Sequence, residues 1–201
     1  ALDASSLPFQ WQYAAIGADR VPVEVAQAAA AVTIAVVDTG ADVTAPDLSA
    51  KAPQAYSIRR RDGDVTDANG HGTFVSALAA GSASNGEGIA GVAGWNPSVP
   101  NSNSYIKLLP VKVLDSNGSG TDADVAEGII WAAEQGARVI SLSLGGAGSS
   151  TTLANATSYA RSKGCVVVGA AGNDGVSTKF YPAANTGVVS VAATDNNDRL
   201  A

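Results

Sequence analysis

Two short stretches carry the residues able to do chemistry. In "VVDTGADVTAPDL", residues 36–48, an apolar run delivers Asp38 to a Thr-Gly pair. In "DANGHGTFVSALAAG", residues 67–81, the only histidine of the chain, His71, stands between two glycines. Asp-Thr-Gly serves two unrelated chemistries. In the first, the aspartate shares a proton with a second carboxylate and the pair activates water, which needs a second Asp-Thr-Gly or a symmetric dimer. No second copy occurs in the 201 residues. In the other chemistry, the aspartate accepts a hydrogen bond from one ring nitrogen of a histidine, fixes its tautomer and stabilises the imidazolium formed when the other nitrogen takes a proton. An imidazole base in this chain has to be His71. Taken alone, His71 also reads as a helix-start histidine bonded to nearby backbone.

The elements around these residues follow from periodicity and turn signals. Residues 32–37, "VTIAVV", predict a buried strand ending just before Asp38. Residues 71–80 predict a helix that starts at His71 and stops at Gly81. Residues 105–114 read as a strand in which Pro110 marks an edge or a bulge. Residues 122–135 form the clearest helix, with Thr121 or Asp122 as cap, Gly136 as stop and Val125, Ile129 and Ala132 or Ala133 as its apolar stripe. A strand at 138–144, a helix at 151–163 closed by Gly164, and strands at 165–171 and 188–193 complete the pattern. Apolar strands alternating with helices predict an α/β fold, a mostly parallel twisted sheet with helices on both faces. Active residues gather at the carboxyl ends of such strands. Asp38 follows one strand and Asn173 another. No internal repeat or linker divides the chain, so residues 1–201 read as a single domain.

Four motifs occur in one order: "AVVDTGADVTAPDL", "NGHGTFVSALAAG", "ISLSLGG" and "VVVGAAGNDG". Together they resemble the subtilisin-like serine peptidases over nearly all of the chain from about residue 10. The resemblance implies a triad in which Asp38 orients His71, and His71 takes the proton of a serine hydroxyl and returns it to the leaving amine. It implies that Asn173 donates its side-chain amide to the charge developing on the scissile carbonyl. It makes "NGSG" (117–120), with Gly118, Ser119 and Gly120, and "SLGG" (143–146) two rails that hold a peptide as an added strand. Ser143, Leu144 and Gly145, with Ala170, Ala171 and Gly172, then line the primary specificity pocket, and their small size implies a roomy apolar slot. A structural calcium site is also implied, with Asp47 and Asn85 as ligands and Gln10 or Gln12 supplying an amide; all-oxygen donors suit this ion.

The family places its nucleophile in a Gly-Thr-Ser motif, and no such triplet occurs here. Ser141, Ser143 and Ser190 are predicted inside strands. The expectation is therefore the N-terminal portion of a longer enzyme, incomplete at the C-terminus of the sheet, inactive as residues 1–201 alone, with the serine beyond residue 201. Apolar stretches such as "VVSVAA" should then lie exposed at a sheet edge. The rival expectation is a catalytically inactive module that binds peptide.

Composition bounds the remaining classes. The chain is 46% hydrophobic and 15% charged, with a formal net charge of −6, which disfavours phosphate-rich partners and anionic membranes. No apolar stretch reaches the roughly 18 residues of a membrane span. Arg59-Arg60-Arg61 runs straight into Asp62 and Asp64 and reads as a solvated loop. "ALDASSLPFQ" has no charged start and no apolar h-region, so a secreted, extracellular protein would be present in processed form. Cys165 opens "CVVVGAA" and reads as a buried structural thiol. "GEGIAG" at 86–91 matches a dinucleotide fingerprint in letters alone, because a helix precedes it and Trp95-Asn96-Pro97 interrupts any helix after it. The expected partners are a peptide or protein substrate and a propeptide or protein inhibitor, with the enzyme a monomer.

Overall fold

A computed structural model of the chain describes residues 10–29, 31–83, 85–93 and 106–200. The sheet has six strands: β1 (Thr33–Asp38), β2 (Tyr56–Ser57), β3 (Lys107–Lys112), β4 (Val139–Leu142), β5 (Val166–Ala170) and β6 (Val189–Val191). Their order is β2-β3-β1-β4-β5-β6, and every pairing is parallel. The α/β expectation therefore holds. β1 lies inside the sheet, with Ala35 opposite Leu109 of β3 and Ile140 of β4.

Helices cover both faces because β1 is apolar on both. Ala35 and Val37 join the core cluster that holds Val125 and Ile129 of α4 (Asp122–Glu134) and Leu153 and Ala156 of α5 (Thr151–Ser162). Ile34 and Val36 point the other way, into a cluster with Leu48, Leu108 and Ala80 of α3 (His71–Ala80). A strand buried on both sides gains from apolar residues at every position, which is why β1 reads as a continuous run. The caps follow the sequence: Thr121 Oγ1 accepts from Asp124 N at 3.1 Å, Ser150 Oγ accepts from Leu153 N at 3.4 Å, and Gly136 and Gly164 follow their helices with φ of 84° and 85°.

Several boundaries differ from the sequence reading. Pro110 marks neither an edge strand nor a bulge. β3 is flanked on both sides, and Pro110 stays in register opposite Val36. Alternate residues of a parallel strand bond to opposite neighbours, and Leu108 N donates to Lys51 O while Lys112 O accepts from Ile58 N. Pro110 shares their side, where β2 has not yet begun, so its missing N–H costs no ladder bond. The strand predicted at 138–144 ends at Leu142, which puts Ser143 just past β4 and corrects its placement inside a strand. Ser141 and Ser190 do lie in β4 and β6. The two-residue β2, the four-residue α1 (Gln12–Ala15), α2 (Val23–Ala29) and a 3₁₀ turn at Ala18–Arg20 are additions.

The edges differ in character. Beside β2, Tyr56 stacks on Trp131 with ring centroids 4.8 Å apart, and the arginine run pairs with acids: Arg60 with Asp64 at 2.9 Å, Arg59 with Asp124 at 3.6 Å, and Arg61 with Glu127. At the other edge Val189 and Val191 remain half exposed, as expected of "VVSVAA". Cys165 is buried, its Sγ donates to Ala137 O at 3.0 Å, and burial pushes its thiol up from the ordinary value. No helix among the described residues is long and apolar enough to cross a membrane.

Candidate active site

β1 ends by driving Asp38 into the interior, where it is fully buried. α3 begins at His71, and the histidine side chain keeps 45% of its surface exposed. The two meet with His71 Nδ1 2.7 Å from Asp38 Oδ1. A carboxylate can only accept, so Nδ1 carries the proton and Nε2 is left free to act as a base. The same Asp38 oxygen accepts from Thr39 N at 2.7 Å, while Oδ2 is buried and finds no donor among the described residues.

The approach of helix to strand end depends on Gly72. A Cβ there would stand 2.1 Å from Gly40 O and 3.1 Å from Asp38 Cβ. Nothing but hydrogen fits, which accounts for the glycine after His71. The glycine before it, Gly70, has open space around it but a φ of 95°, a conformation that side chains rarely adopt.

A cleft of about 450 Å³ opens in front of His71, with Asn173 on the opposite wall. Gly118, Ser143, Leu144, Gly145, Ala170 and Gly172 also line it. A neighbouring cavity of about 420 Å³ lies between Gly118, Ser119 and Gly120 on one side and Leu144 and Gly145 on the other. Ala171 lines a third cavity with Gly172 and Asn173. The residues named from sequence for peptide binding thus gather around neighbouring openings at the carboxyl end of the sheet.

Each wall has its own support. Asp115 folds the 115–119 turn by accepting from Asn117 N at 2.9 Å and Ser119 N at 3.0 Å. Asn69 Nδ2 donates to Ser116 O at 2.9 Å, tying this turn to the loop before His71. Gly146 and Tyr181 exchange two backbone bonds of 2.9 and 2.8 Å, which pins the end of the 143–146 segment.

Phe180 takes part of the space beside the slot. Phe180 lines the main cleft, and Cβ atoms at Gly145 and Gly172 would lie 2.5 and 3.1 Å from its ring. Those glycines are small because an aromatic ring uses the space they clear.

The oxygen-bearing side chains proposed for calcium are brought together at the far end of α3. Asp47 is buried, and its Oδ1 and Oδ2 accept from Asn85 Nδ2 at 2.8 Å and Ile89 N at 2.9 Å. Gln10 bonds to the same loop through Ala90, with distances of 3.0 and 3.2 Å, and Gln12 lies in α1. The donors are of the class calcium takes. Asp47 is at present filled by N–H donors, so binding requires the Asn85 amide to turn its oxygen inward. "GEGIAG" is irregular chain here, without the strand a dinucleotide site requires, and Trp95-Asn96-Pro97 lies outside the described residues.

Sequence reasoning missed Asp67, Thr39, Thr73 and Phe180. For Asp67 a signal was present: an aspartate two and three residues before Asn69 and Gly70 is an Asx-turn pattern at a helix start. For Phe180 there was none, since its packing against Gly145 and Gly172 follows no local sequence pattern.

A sequence profile of the Subtilase family matches residues 29–201. The chain belongs to the subtilase family. Among curated relatives, the Thermophilic serine proteinase of Bacillus sp. (strain AK1) is 50% identical over 168 residues, covering 84% of this chain and 39% of the relative. Thermitase of Thermoactinomyces vulgaris is 45% identical over 165 residues, covering 82% and 56%. Subtilisin DY of Bacillus licheniformis is 39% identical over 190 residues, covering 92% and 64%. The chain therefore spans less than two thirds of each of these subtilases.

Proposed function

We propose that this subtilase chain is the part of a secreted serine endopeptidase that carries the acid–base pair, one oxyanion donor and both peptide rails, and that the serine nucleophile lies beyond residue 201. The observation that carries the reading is the 2.7 Å contact between His71 Nδ1 and the buried Asp38 carboxylate, with His71 lining a cleft that Asn173 also lines. In this mechanism a peptide lies as a strand between residues 118–120 and 143–145. His71 Nε2 takes the serine proton as Oγ attacks the carbonyl carbon. Asp38 offsets the imidazolium charge, and the Asn173 amide donates to the oxyanion. The proton then passes to the leaving amine, and water repeats the cycle on the acyl-enzyme. Without the serine, residues 1–201 bind peptide but do not cleave it. A calcium ion held by Asp47 and Asn85 would fasten the loop after α3, a structural role with no part in the chemistry. A peptide or protein substrate fits the backbone rails; a propeptide or protein inhibitor would use the same groove, and the enzyme acts as a monomer.

The test is labelling of the full-length protein with a fluorophosphonate probe beside its His71→Ala variant. The reading expects a labelled serine in the parent and almost none in the variant. Absence of labelling in a folded full-length protein overturns it in favour of an inactive peptide-binding module.

A further inference from the structure

We propose that Asp67 is a positioning residue for His71, its carboxylate tying the strand end that carries Asp38 to the helix start that carries His71. Oδ1 accepts from Gly70 N at 2.9 Å, Asn69 N at 3.1 Å and Thr39 Oγ1 at 2.9 Å. Oδ2 accepts from Thr73 N at 2.9 Å and Thr73 Oγ1 at 2.6 Å. The donors come from both sides of His71 along the chain and from the residue next to Asp38. Thr39 Oγ1 closes the circuit by accepting from Gly72 N at 2.9 Å, and Asn69 Oδ1 accepts from His71 N at 3.2 Å. His71 thus hangs between fixed backbone points that all lead to one carboxylate.

Only an ionised carboxylate can do this. Five donors need two oxygens with no proton of their own. An amide in the same place turns an N–H toward one of the two donor groups. Burial would raise the Asp67 pKa, but the bonds from Thr73, Gly70 and Thr39 outweigh it and hold the carboxyl well below the usual range, so the anion persists. Asp67 itself touches no reacting atom. Its effect passes through the geometry of the Asp38–His71 contact.

The proposal rests on reading Asp38 and His71 as the acid–base pair, and its test observes that pair directly rather than hydrolysis, so the two ideas fail separately. In ¹⁵N-histidine-labelled protein, the Nδ1 proton facing Asp38 gives a low-field resonance, assigned by its loss in His71→Gln. In folded Asp67→Asn the resonance should move upfield, and its exchange with water should quicken roughly tenfold, the factor for the loss of one charge-assisted bond. Asp195→Asn is the control. Asp195 organises a similar turn elsewhere in the chain, accepting from Asn197 N at 2.8 Å and Arg199 N at 3.0 Å, and its loss should leave the resonance in place. If Asp67→Asn does not fold, Thr39→Val decides, since it removes the hydroxyl linking Asp67 to Gly72; the same change should appear, and Thr39→Ser should restore the parent signal. An unmoved resonance with unchanged exchange in whichever of the two variants folds overturns the proposal.

Discussion

The two walls of the cleft are built on different terms. On the histidine wall, Asp38 is fully buried, α3 presses on it without room for a Cβ at Gly72, and Asp67 collects five donors around the helix start. On the opposite wall, Asn173 stands exposed just past β5, in a stretch where Val176 is 64% exposed. One wall is preorganised by short-range bonds, and the other is positioned by the end of β5, where Ala171 N donates to Val191 O at 2.9 Å. Both of the proposed roles, acid–base transfer and oxyanion stabilisation, gain from groups aimed before the reaction begins, and on the histidine wall that aim is set by the bonds just named.

The largest test breaks the histidine wall. In the full-length enzyme, His71→Ala should lower kcat by about 10⁶ and Asp38→Ala by about 10⁴, magnitudes borrowed from the same side chains of subtilisin. Steady-state hydrolysis of a peptide anilide measures both. Asn173→Ala should cost less, about 10²–10³ in kcat with KM little changed, again on subtilisin's scale. If Asn173→Ala proves as damaging as Asp38→Ala, the two walls do not differ in the way their packing suggests.

A smaller contrast compares glycines across the cleft. Gly72→Ala places a methyl against the backbone oxygen of Gly40, which cannot yield without moving the helix, and should lower stability by about 1–3 kcal/mol. It should also displace the His71 resonance. Gly172→Ala meets the Phe180 ring at 3.1 Å and strains a φ of 99°; thermal melts should show a loss of about 1 kcal/mol, with the histidine signal unmoved. α3 can also be loosened at its far end. Chelation of calcium should lower the Tm if Asp47 and Asn85 hold the ion, by the equivalent of about 2.7 kcal/mol when the ion had been at a hundredfold its Kd. Asp47→Ala should make the melt insensitive to calcium.

Legibility in the sequence divides along the same line. β1, α3, α4 and α5 were legible because caps, glycine stops and apolar runs are local signals, and the boundaries of α3 coincide with the prediction. The Asp38–His71 contact was legible because each residue lies at the end of such an element. Pro110 misled because whether a missing N–H matters depends on where the neighbouring strand begins, which the sequence of β3 does not contain. The two-residue β2 was invisible for want of any period to detect. Phe180 was not legible as a neighbour of Gly145, because it arrives from 35 residues further along the chain.

The finest prediction asks whether charge, and not merely shape, holds the histidine wall. Asp67 has its pKa depressed from 3.8 in the folded protein. An acid depressed by folding contributes stability that is fully present above its unfolded pKa and is lost as pH falls through the folded one. The Tm of the parent should therefore exceed that of Asp67→Asn by a constant margin above pH 3.8, and the margin should narrow as the pH drops below it. Asp42, Asp64, Asp115 and Asp195 are depressed too and act alike in both proteins, so the difference between the two melts is the quantity to follow. A margin that closes in acid assigns the hold to the carboxylate charge. A margin that stays constant assigns it to shape, and the histidine wall would then differ from the Asn173 wall in packing alone.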